Sequence, residues 1–174
     1  SLQIIQRLSG HHGEVESLSV SSDGGFAVSG ARDGEVRFWD LQVFKSRANI
    51  GISPTFQSNL EINSMIFTND GKYLIGGSAN GYVYILDTNT KSIVNSWMAY
   101  PNQIAISEIA LTPDNSKLLT AGSNGQAILW NLNNHQLITE FSKIGSNMRT
   151  IDISPDGKTA IIGYTNGEIT LVSL

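Results

Sequence analysis

Cysteine is absent from this sequence of 174 residues, so disulfide bonds and thiolate metal sites are excluded. No apolar run has the length that a membrane span requires. The N-terminal residues SLQIIQRLSG lack the features of a signal peptide, and no Asn-x-Ser/Thr glycosylation site occurs. These absences favour an intracellular protein, most simply a cytoplasmic one, without contact to a membrane.

Positive charge is also scarce. The chain has 11 Lys and Arg against 15 Asp and Glu, a net charge of −4, and no basic run. Nucleic-acid binding depends on clustered basic residues, so no nucleic-acid partner is expected. Neither a G-x-G-x-x-G loop nor a Walker sequence is present to bind phosphates. We therefore predict no cofactor.

What the sequence does contain is an internal repeat. Three anchors recur in four copies at the same successive spacings of 47, 44 and 42 residues. Four copies in step are the mark of a repeat architecture. The anchors are a turn Asp (Asp23, Asp70, Asp114, Asp156), an Asp-Gly or Asn-Gly pair (Asp33, Asn80, Asn124, Asn166) and a large apolar residue (Trp39, Leu86, Trp130, Val172).

Each copy has the pattern of short strands joined by tight turns. In the first copy Val36 and Phe38 alternate with Glu35 and Arg37, which is the period of a half-buried strand. Outer strands are expected at 93–97 and 137–141, and more weakly around Ile50 and Ile52. No segment shows a sustained helical period. Four antiparallel strands in about 43 residues form one propeller blade.

The chain is therefore expected to be one all-β domain over residues 1–174. The predicted blades span approximately 9–52, 53–97, 98–141 and 142–174. Residues 3–8 are expected to form an outer latch strand that precedes the first blade.

The residues of the first copy resemble a known family. LSGHHGEVESLSVSSDGGFAVSGARDGEVRFWD, residues 8–40, resembles a WD repeat from its Gly-His to its Trp-Asp. The later copies at 68–87, 112–131 and 154–173 are similar to it with substitutions. The resemblance implies a WD-type β-propeller that acts as a non-catalytic scaffold for binding other proteins.

The resemblance also implies a hydrogen-bonded set that braces a blade. The first copy carries all of it, and the third carries part, with Asn102 in the His position. The second and fourth copies have Leu86 and Val172 for Trp, Gly76 and Ile162 for Ser, and Ser58 and Ile144 for His. The structural residues predicted in this way are His11, Ser29, Asp33, Trp39, Thr120, Asn124 and Trp130.

Some of the same side chains have the residue types of a catalytic site or of a metal site, so these two alternatives are weighed against the structural role. Ser29, His11 and Asp33 have the residue types of a catalytic triad, but no strained nucleophile turn is present. Adjacent His11 and His12 would point to opposite faces of a strand, and His135 lies in another copy. The turn Asp residues offer one carboxylate each, fewer than a calcium loop needs. No catalytic residue and no metal site is predicted.

A partner protein is expected on the rim formed by the loops. Aromatic and Arg side chains are enriched at interface hot spots. Two other functions stay open: a propeller enzyme such as a hydrolase or lyase, and a purely structural subunit of a larger complex. The rim residues singled out are His12, Arg32, Phe56, Tyr100, Asn147, Arg149 and Tyr164.

Four blades are few for this family, whose rings usually have seven or eight. Three arrangements remain open: a part of a larger propeller, a homodimer whose two chains complete an eight-bladed ring, and a closed ring of four blades. An open arc would leave apolar blade faces and unpaired strand edges in water.

Overall fold

A computed structural model describes residues 3, 4, 6–42, 61–142 and 147–174, together with the backbone of 56 and 57. Within these residues the regular structure is β, apart from one 3-10 turn at Pro101–Gln103. Nothing helical in the described residues has the length and hydropathy of a membrane span. The strands are β1 Val15–Val20, β2 Phe26–Ala31, β3 Glu35–Asp40, β4 Phe56–Gln57, β5 Ile62–Phe67, β6 Tyr73–Ser78, β7 Tyr82–Asp87, β8 Ser92–Met98, β9 Ile106–Leu111, β10 Lys117–Gly122, β11 Gln126–Asn131, β12 Leu137–Ser142, β13 Met148–Ile153, β14 Thr159–Tyr164 and β15 Ile169–Ser173.

The strands form four antiparallel sheets, which we number as blades 1 to 4. Blades 1, 2 and 3 each have four strands in sequence order, β1–β4, β5–β8 and β9–β12. Blade 4 has three, β13–β15, within the described residues. The all-β prediction of four propeller blades is confirmed, and β8 and β12 cover the outer strands expected at 93–97 and 137–141.

Two expectations about outer strands stay predictions. The described residues of 3–8, which do not include residue 5, carry no strand, and the latch strand stays a prediction. Ile50 and Ile52 lie outside the described residues, and the outer strand of blade 1 is the short β4.

The Asp of the first anchor closes the turn between the first two strands of each blade. The Ser21 hydroxyl donates to Asp23 over 2.6 Å, and the Gly25 N–H donates to the same carboxylate over 2.9 Å. Both bonds recur at the other three anchors. The Ser21 bond, followed by the backbone bond, lowers the pKa of Asp23.

The second anchor makes the turn between the second and third strands. In all four copies its side-chain oxygen accepts the N–H of the residue two positions later, over 3.0 to 3.2 Å. The glycine that follows has φ between 77° and 85°. Only glycine adopts this backbone conformation without steric cost, which explains why the pair is kept in every copy.

The hydrophobic core lies between the blades rather than inside any one of them. Val28, Val36 and Phe38 of blade 1 pack on Met65 and Leu74 of blade 2. Equivalent clusters join blade 2 to blade 3 and blade 3 to blade 4. The first strands pack side by side in the order β1, β5, β9, β13. We call the space they border the channel. The result is an arc of blades held together by repeated apolar interfaces.

Candidate functional site at the channel mouth

Each of the four first strands carries a β-bulge at the same position. Its register shifts after the first residue, so that one residue is left without a partner on the second strand. A bulge re-aims the side chain of the extra residue and bends the strand. The four bulged residues are Glu16, Asn63, Ser107 and Arg149.

The four bulged side chains converge on one open cavity of about 480 Å³. Turn and strand residues next to them complete its wall. We call this cavity the channel mouth, because it lies where the turns between second and third strands meet the first strands. Its lining residues are Glu16, Arg32, Glu61, Asn63, Ala79, Ala105, Ser107, Glu108 and Arg149.

Arg32 is the centre of an ion cluster on one side of the channel mouth. Its Nε lies 2.5 Å from Glu16 Oε1 and 3.4 Å from Glu61 Oε1, and its Nη1 lies 2.9 Å from Glu14 Oε2. The bond to Glu16, followed by the charges of Glu14 and Glu16, raises the pKa of Arg32. Because the guanidinium is more than half exposed, the cluster contributes charge to the surface more than it contributes stability.

The other side of the channel mouth is fixed by bonds between neighbouring blades. Asn63 Nδ2 donates to the carbonyl of Ile106 over 2.8 Å, and Ser107 Oγ donates to the carbonyl of Met148 over 3.3 Å. Glu108 Oε2 accepts the N–H of Ile151 over 3.0 Å. These side chains are held in place before any partner arrives, which lowers the entropy cost of binding.

In blade 1 the four predicted structural residues form one chain of hydrogen bonds that runs from Trp39 to Asp33. Trp39 Nε1–H donates to Ser29 Oγ over 2.8 Å, and Ser29 Oγ lies 2.6 Å from His11 Nε2. His11 Nδ1 lies 3.0 Å from Asp33 Oδ2. A carboxylate only accepts, so His11 donates to Asp33 through Nδ1. In that tautomer of the neutral imidazole, Nε2 accepts the hydrogen bond of the Ser29 hydroxyl, whose oxygen accepts the Trp39 N–H.

Asp33 is the acceptor at the end of that chain. It also accepts the N–H groups of His12 over 2.7 Å and of Glu35 over 3.0 Å. Burial raises the pKa of Asp33, but the backbone bonds from Glu35 and His12 and the interaction with His11 outweigh it and lower the pKa to about 2. The carboxylate therefore stays ionised across the physiological range.

The same set has the connectivity of a catalytic triad but not its accessibility. Ser29 and Asp33 bind opposite nitrogens of His11, as in a triad. However, Ser29 is only 2 % exposed and its oxygen already accepts the Trp39 N–H. A substrate cannot reach it. The bracing role of this set stays a prediction, and the bond from Trp39 to Ser29 is consistent with it.

Three of the side chains near this set have the types that ligate metals. One ligand atom from each of His11, Asp33 and Glu35 lies within 4.8 Å of the others. Both nitrogens of His11 are already bonded, and Glu35 forms an ion pair with Arg37 over 2.5 Å. A cation would have to displace these contacts. The absence of a metal site stays a prediction.

In blade 3 the residue that takes the His position is Tyr100, and the expectation for Asn102 is wrong. The Tyr100 hydroxyl lies 3.1 Å from Thr120 Oγ1, which accepts the Trp130 Nε1–H over 3.1 Å. Asn102 is exposed on the 3-10 turn. Asn124 does not reach Tyr100 and instead accepts the N–H of Gln126 in its own turn.

The seven rim residues fall into two groups. His12, Arg32, Asn147 and Arg149 are exposed, and two of them line the channel mouth. Tyr100 and Tyr164 are buried in the interfaces around blade 3, so their expected role in partner binding is wrong. The side chain of Phe56 lies outside the described residues, as do Ser58 and Ile144.

Sequence reasoning missed seven of the nine residues that line the channel mouth, namely Glu16, Glu61, Asn63, Ala79, Ala105, Ser107 and Glu108. It predicted aromatic and Arg anchors in the turns, whereas the bulges place polar first-strand residues in the cavity. The repeat spacing does align Glu16, Asn63, Ser107 and Arg149 at one position. The position that follows it is also polar in all four copies, so polarity alone does not identify the bulged residue.

Comparison with known proteins agrees with this architecture. A family model described as "WD domain, G-beta repeat" matches residues 2–40. The chain is 29% identical over 123 residues to a WD repeat-containing protein 91 homolog of Dictyostelium discoideum, covering 68% of the chain and 15% of that protein. It is 26% identical over 164 residues to a guanine nucleotide-binding protein subunit beta of Oryza sativa, covering 91% of the chain and 40% of that protein.

A third relative is a guanine nucleotide-binding protein subunit beta-like protein of Encephalitozoon cuniculi. It is 22% identical over 182 residues, covering 94% of the chain and 53% of that protein. The chain thus spans between 15% and 53% of the length of these three relatives. A second family model, described as "NUP159/214 beta propeller", matches residues 45–174. With well over half of its length in that match, the chain belongs to the WD-repeat proteins and, within them, to the NUP159/214 beta-propeller family.

Proposed function

We propose that the chain is a protein-interaction scaffold, and that it binds a segment of a partner protein at the channel mouth. The observation that carries the proposal is the convergence of four bulged side chains and the Arg32 cluster on one open cavity. Bulges are common beside functional sites, because they re-aim side chains without disturbing the rest of a sheet.

The charges of the channel mouth favour a partner segment with a basic side chain. The lining of the channel mouth has the three carboxylates of Glu16, Glu61 and Glu108 and the guanidinium groups of Arg32 and Arg149. A fourth carboxylate, that of Glu14, pairs with Arg32 from outside the lining. Glu61 is part-exposed and is the most distant of the three carboxylates around Arg32. An incoming Lys or Arg is therefore attracted to Glu61 first, and complementary charge raises its association rate.

A protein partner is favoured over nucleic acid. The net charge of the chain is −4, and the carboxylates of the channel mouth would repel phosphate. Two of the relatives are named as a G-protein subunit beta or as similar to one, which describes proteins that work inside an assembly. Binding to other proteins through a blade surface is consistent with that likeness.

An enzymatic function finds less support. In the set with a triad's connectivity, Ser29 is buried and accepts the Trp39 N–H, and the lining of the channel mouth includes no His or Asp. Catalysis would need ionisable groups that converge on a space a substrate can enter. A non-catalytic role therefore stays our prediction.

Quantitative affinity capture with matched variants tests the site. The wild-type chain, Glu61→Lys and Glu140→Lys are immobilised and the captured proteins are measured by mass spectrometry. Glu140 is an exposed carboxylate on β12, away from the channel mouth, so it provides the same change of charge elsewhere. We expect Glu61→Lys to lose proteins that the wild type and Glu140→Lys both retain.

A captured partner is then dissected to find its segment. Replacing the Lys or Arg of that segment should weaken binding to the wild type and have no further effect on Glu61→Lys, since the two changes remove the same contact. Capture of the same proteins in the same amounts by all three chains would contradict a site at the channel mouth.

A further inference from the structure

A second cavity lies between blades 2 and 3, at the opposite end of their strands from the channel mouth. Its volume is about 480 Å³, which is within the range of ligand-binding pockets. Its wall includes the turns between first and second strands and the turn between β11 and β12. Blades 1 and 4 flank this pair of blades, so the cavity belongs to an interface inside the arc. We call it the interblade cavity.

One wall of the interblade cavity is aliphatic. Buried Ile75 and Ile85 line it, and Val94 lines it from β8. The register between β7 and β8 shifts at this point and leaves Val94 as the extra residue of a β-bulge. A bulge re-aims the side chain of the extra residue. Val94 is 52% exposed although blade 3 packs on blade 2, so the two blades leave an apolar surface open beside their shared core.

Two residues with a left-handed backbone add side chains to the wall of the interblade cavity. Asn115 and His135 both have a φ of 58°. At the position of Asn115 the other three copies have glycine, which adopts a positive φ without steric cost, namely Gly24, Gly71 and Gly157. Side chains kept in an unfavourable backbone conformation are concentrated at functional sites. The third copy thus carries an amide where the same turn forms three times without one.

Hydrogen bonds and packing hold these two side chains in place. Asn115 Oδ1 accepts the N–H of Asn69 over 3.0 Å, which joins blade 3 to blade 2. Asn95 Nδ2 lies 3.3 Å from both ring nitrogens of His135, and the centroids of the His135 and Trp97 rings lie 4.7 Å apart. The wall is therefore ordered before a ligand arrives, which lowers the entropy cost of binding. Trp97 is close enough to report on a ligand that contacts His135.

The polar groups of the interblade cavity match a peptide rather than an ion. Asn95, Asn115 and Asn133 line it, and a carboxamide has both the donor and the acceptor that pair with a peptide group. The lining includes no Lys or Arg, and its one carboxylate, that of Asp70, already accepts the Thr68 hydroxyl over 2.6 Å. A charged side chain would lose its hydration without gaining a free counter-charge. The chemistry therefore favours an uncharged segment with an aliphatic side chain.

We propose that the interblade cavity binds an uncharged segment of a partner protein, which inserts one aliphatic side chain against Ile75, Ile85 and Val94. The main chain of the segment exchanges hydrogen bonds with the carboxamides of the wall, and burial of the inserted side chain supplies the driving force. The interblade cavity and the channel mouth lie at opposite ends of the strands, so the proposal is independent of what binds at the channel mouth.

An NMR titration with a defined peptide tests the proposal. The probe is the blocked pentapeptide acetyl-Ala-Ala-Leu-Ala-Ala-amide, which is added to the isotope-labelled chain up to its solubility limit. The chain has three tryptophans, and these give three indole N–H signals. We expect a saturable shift of the Trp97 signal, transmitted through His135, and no shift of the Trp39 signal, because Trp39 lies in blade 1.

Two related peptides test what the interblade cavity selects. Replacing the central Leu of the probe by Lys or by Glu should raise the dissociation constant at least about 10-fold, because the charge has to leave water without a free partner. A Leu peptide that binds no better than the Lys and Glu peptides would overturn the proposal, and so would the absence of a saturable shift of the Trp97 signal.

A pair of variants at equivalent bulges tests where the peptide binds. Val94→Asp places a charge on the aliphatic wall and should weaken binding of the Leu peptide at least about 10-fold. Ile138→Asp is the matched control and should bind like the wild type, because Ile138 is the extra residue of the same bulge in β12, is 45% exposed and does not line the interblade cavity. Equal binding by the two variants would overturn the proposal. Circular dichroism confirms that each variant is folded.

Discussion

Tyr100 and Thr120 lie on neighbouring elements of blade 3 with their hydroxyl oxygens 3.1 Å apart, and together they replace the His11–Ser29 pair of blade 1. The Tyr100 hydroxyl also lies 2.9 Å from the carbonyl of Thr120 and 3.0 Å from that of Gln126. The phenol therefore ties the segment that enters the blade to β10 and β11. A phenol thus occupies in blade 3 the place that the imidazole of His11 occupies in blade 1.

This relationship predicts which side chain before β9 matters for stability. Tyr100→Phe removes the buried hydroxyl and leaves its carbonyl partners less well bonded, so we expect a loss of about 1–3 kcal/mol in the free energy of unfolding. Asn102→Gly removes the side chain that the sequence predicts at the His position of blade 3. Glycine adopts the positive φ of 59° at this residue without steric cost. Urea unfolding should show a clear loss of unfolding free energy for Tyr100→Phe and almost none for Asn102→Gly.

The tyrosine also shows where sequence reasoning succeeded and where it failed. The strands, the turns and the four blades follow from the anchor spacing, because each anchor closes a turn through its own side chain. The sequence predicts Tyr100 on the rim, because it lies in a loop that enters a blade and aromatic residues are enriched at interface hot spots. Its burial depends on packing against blade 3, which no local pattern encodes.

The channel mouth was out of reach for a related reason. A bulge is one extra residue in one strand, and its presence depends on the pairing of two strands rather than on the residue itself. Two-residue alternation would place Glu16 on the same side of the strand as Leu18, and Ser107 on the same side as Ile109, so the sequence pattern does not indicate where these side chains lie. Only the register to β2 and β10 shows that they are the extra residues and line the cavity.

Two tryptophans near the same interface differ in their hydrogen bonding. Trp130 Nε1 donates to Thr120 Oγ1, whereas the buried Nε1 of Trp97 has no acceptor among the described residues. Their rings lie 6.0 Å apart. Trp→Phe removes the same atoms in both cases, so the pair forms a matched comparison. A buried N–H without an acceptor costs about 1–3 kcal/mol, and Trp97→Phe relieves that cost.

We therefore expect Trp130→Phe to lower the free energy of unfolding by more than Trp97→Phe, with a difference of about 1–3 kcal/mol. Urea titrations of the wild type and both variants give the numbers. Equal losses for the two would mean that Trp97 finds an acceptor as good as Thr120.

Two glycines at the same turn position of different blades allow the cost of backbone strain to be separated from the cost of steric crowding. Gly81 and Gly167 follow the Asn of their turns and have φ of 84° and 85°. A Cβ on Gly81 would lie 2.5 Å from the carbonyl oxygen of Tyr100, whereas one on Gly167 would meet nothing within 4 Å. The segment Tyr100 to Ile104, which leads into blade 3, covers the turn of Gly81.

Gly167→Ala should cost about 1–2 kcal/mol, the penalty of a left-handed backbone for a residue with a Cβ. Gly81→Ala should cost more, because the backbone carbonyl of Tyr100 has to move as well. Thermal unfolding of the two variants compares them directly. A smaller loss for Gly81→Ala than for Gly167→Ala would contradict the close contact with Tyr100.

Asp33 predicts an acid-dependent part of the stability. Its pKa is lowered from 3.8 to about 2 in the folded chain. A group whose folded pKa is depressed stabilises the fold above its unfolded pKa, and the contribution is lost as the pH falls through the folded pKa. The contribution of Asp33 should therefore be complete above about pH 4 and fade between about pH 4 and pH 2.

Asp33→Asn is the variant that isolates this effect, because Asn holds the same turn position in the other three copies and accepts the same backbone N–H there. The variant should be less stable than the wild type at pH 7, since it loses the charged partner of His11. The difference in unfolding free energy between the wild type and Asp33→Asn, which we call the stability gap, should narrow as the pH falls from 4 to 2. The turn carboxylates Asp23, Asp70, Asp114 and Asp156 also have lowered pKa values, but they are common to both proteins and cancel in the difference. Urea midpoints measured at each pH give the gap, and a gap of the same size at pH 7 and pH 2 would show that the Asp33 charge does not stabilise blade 1.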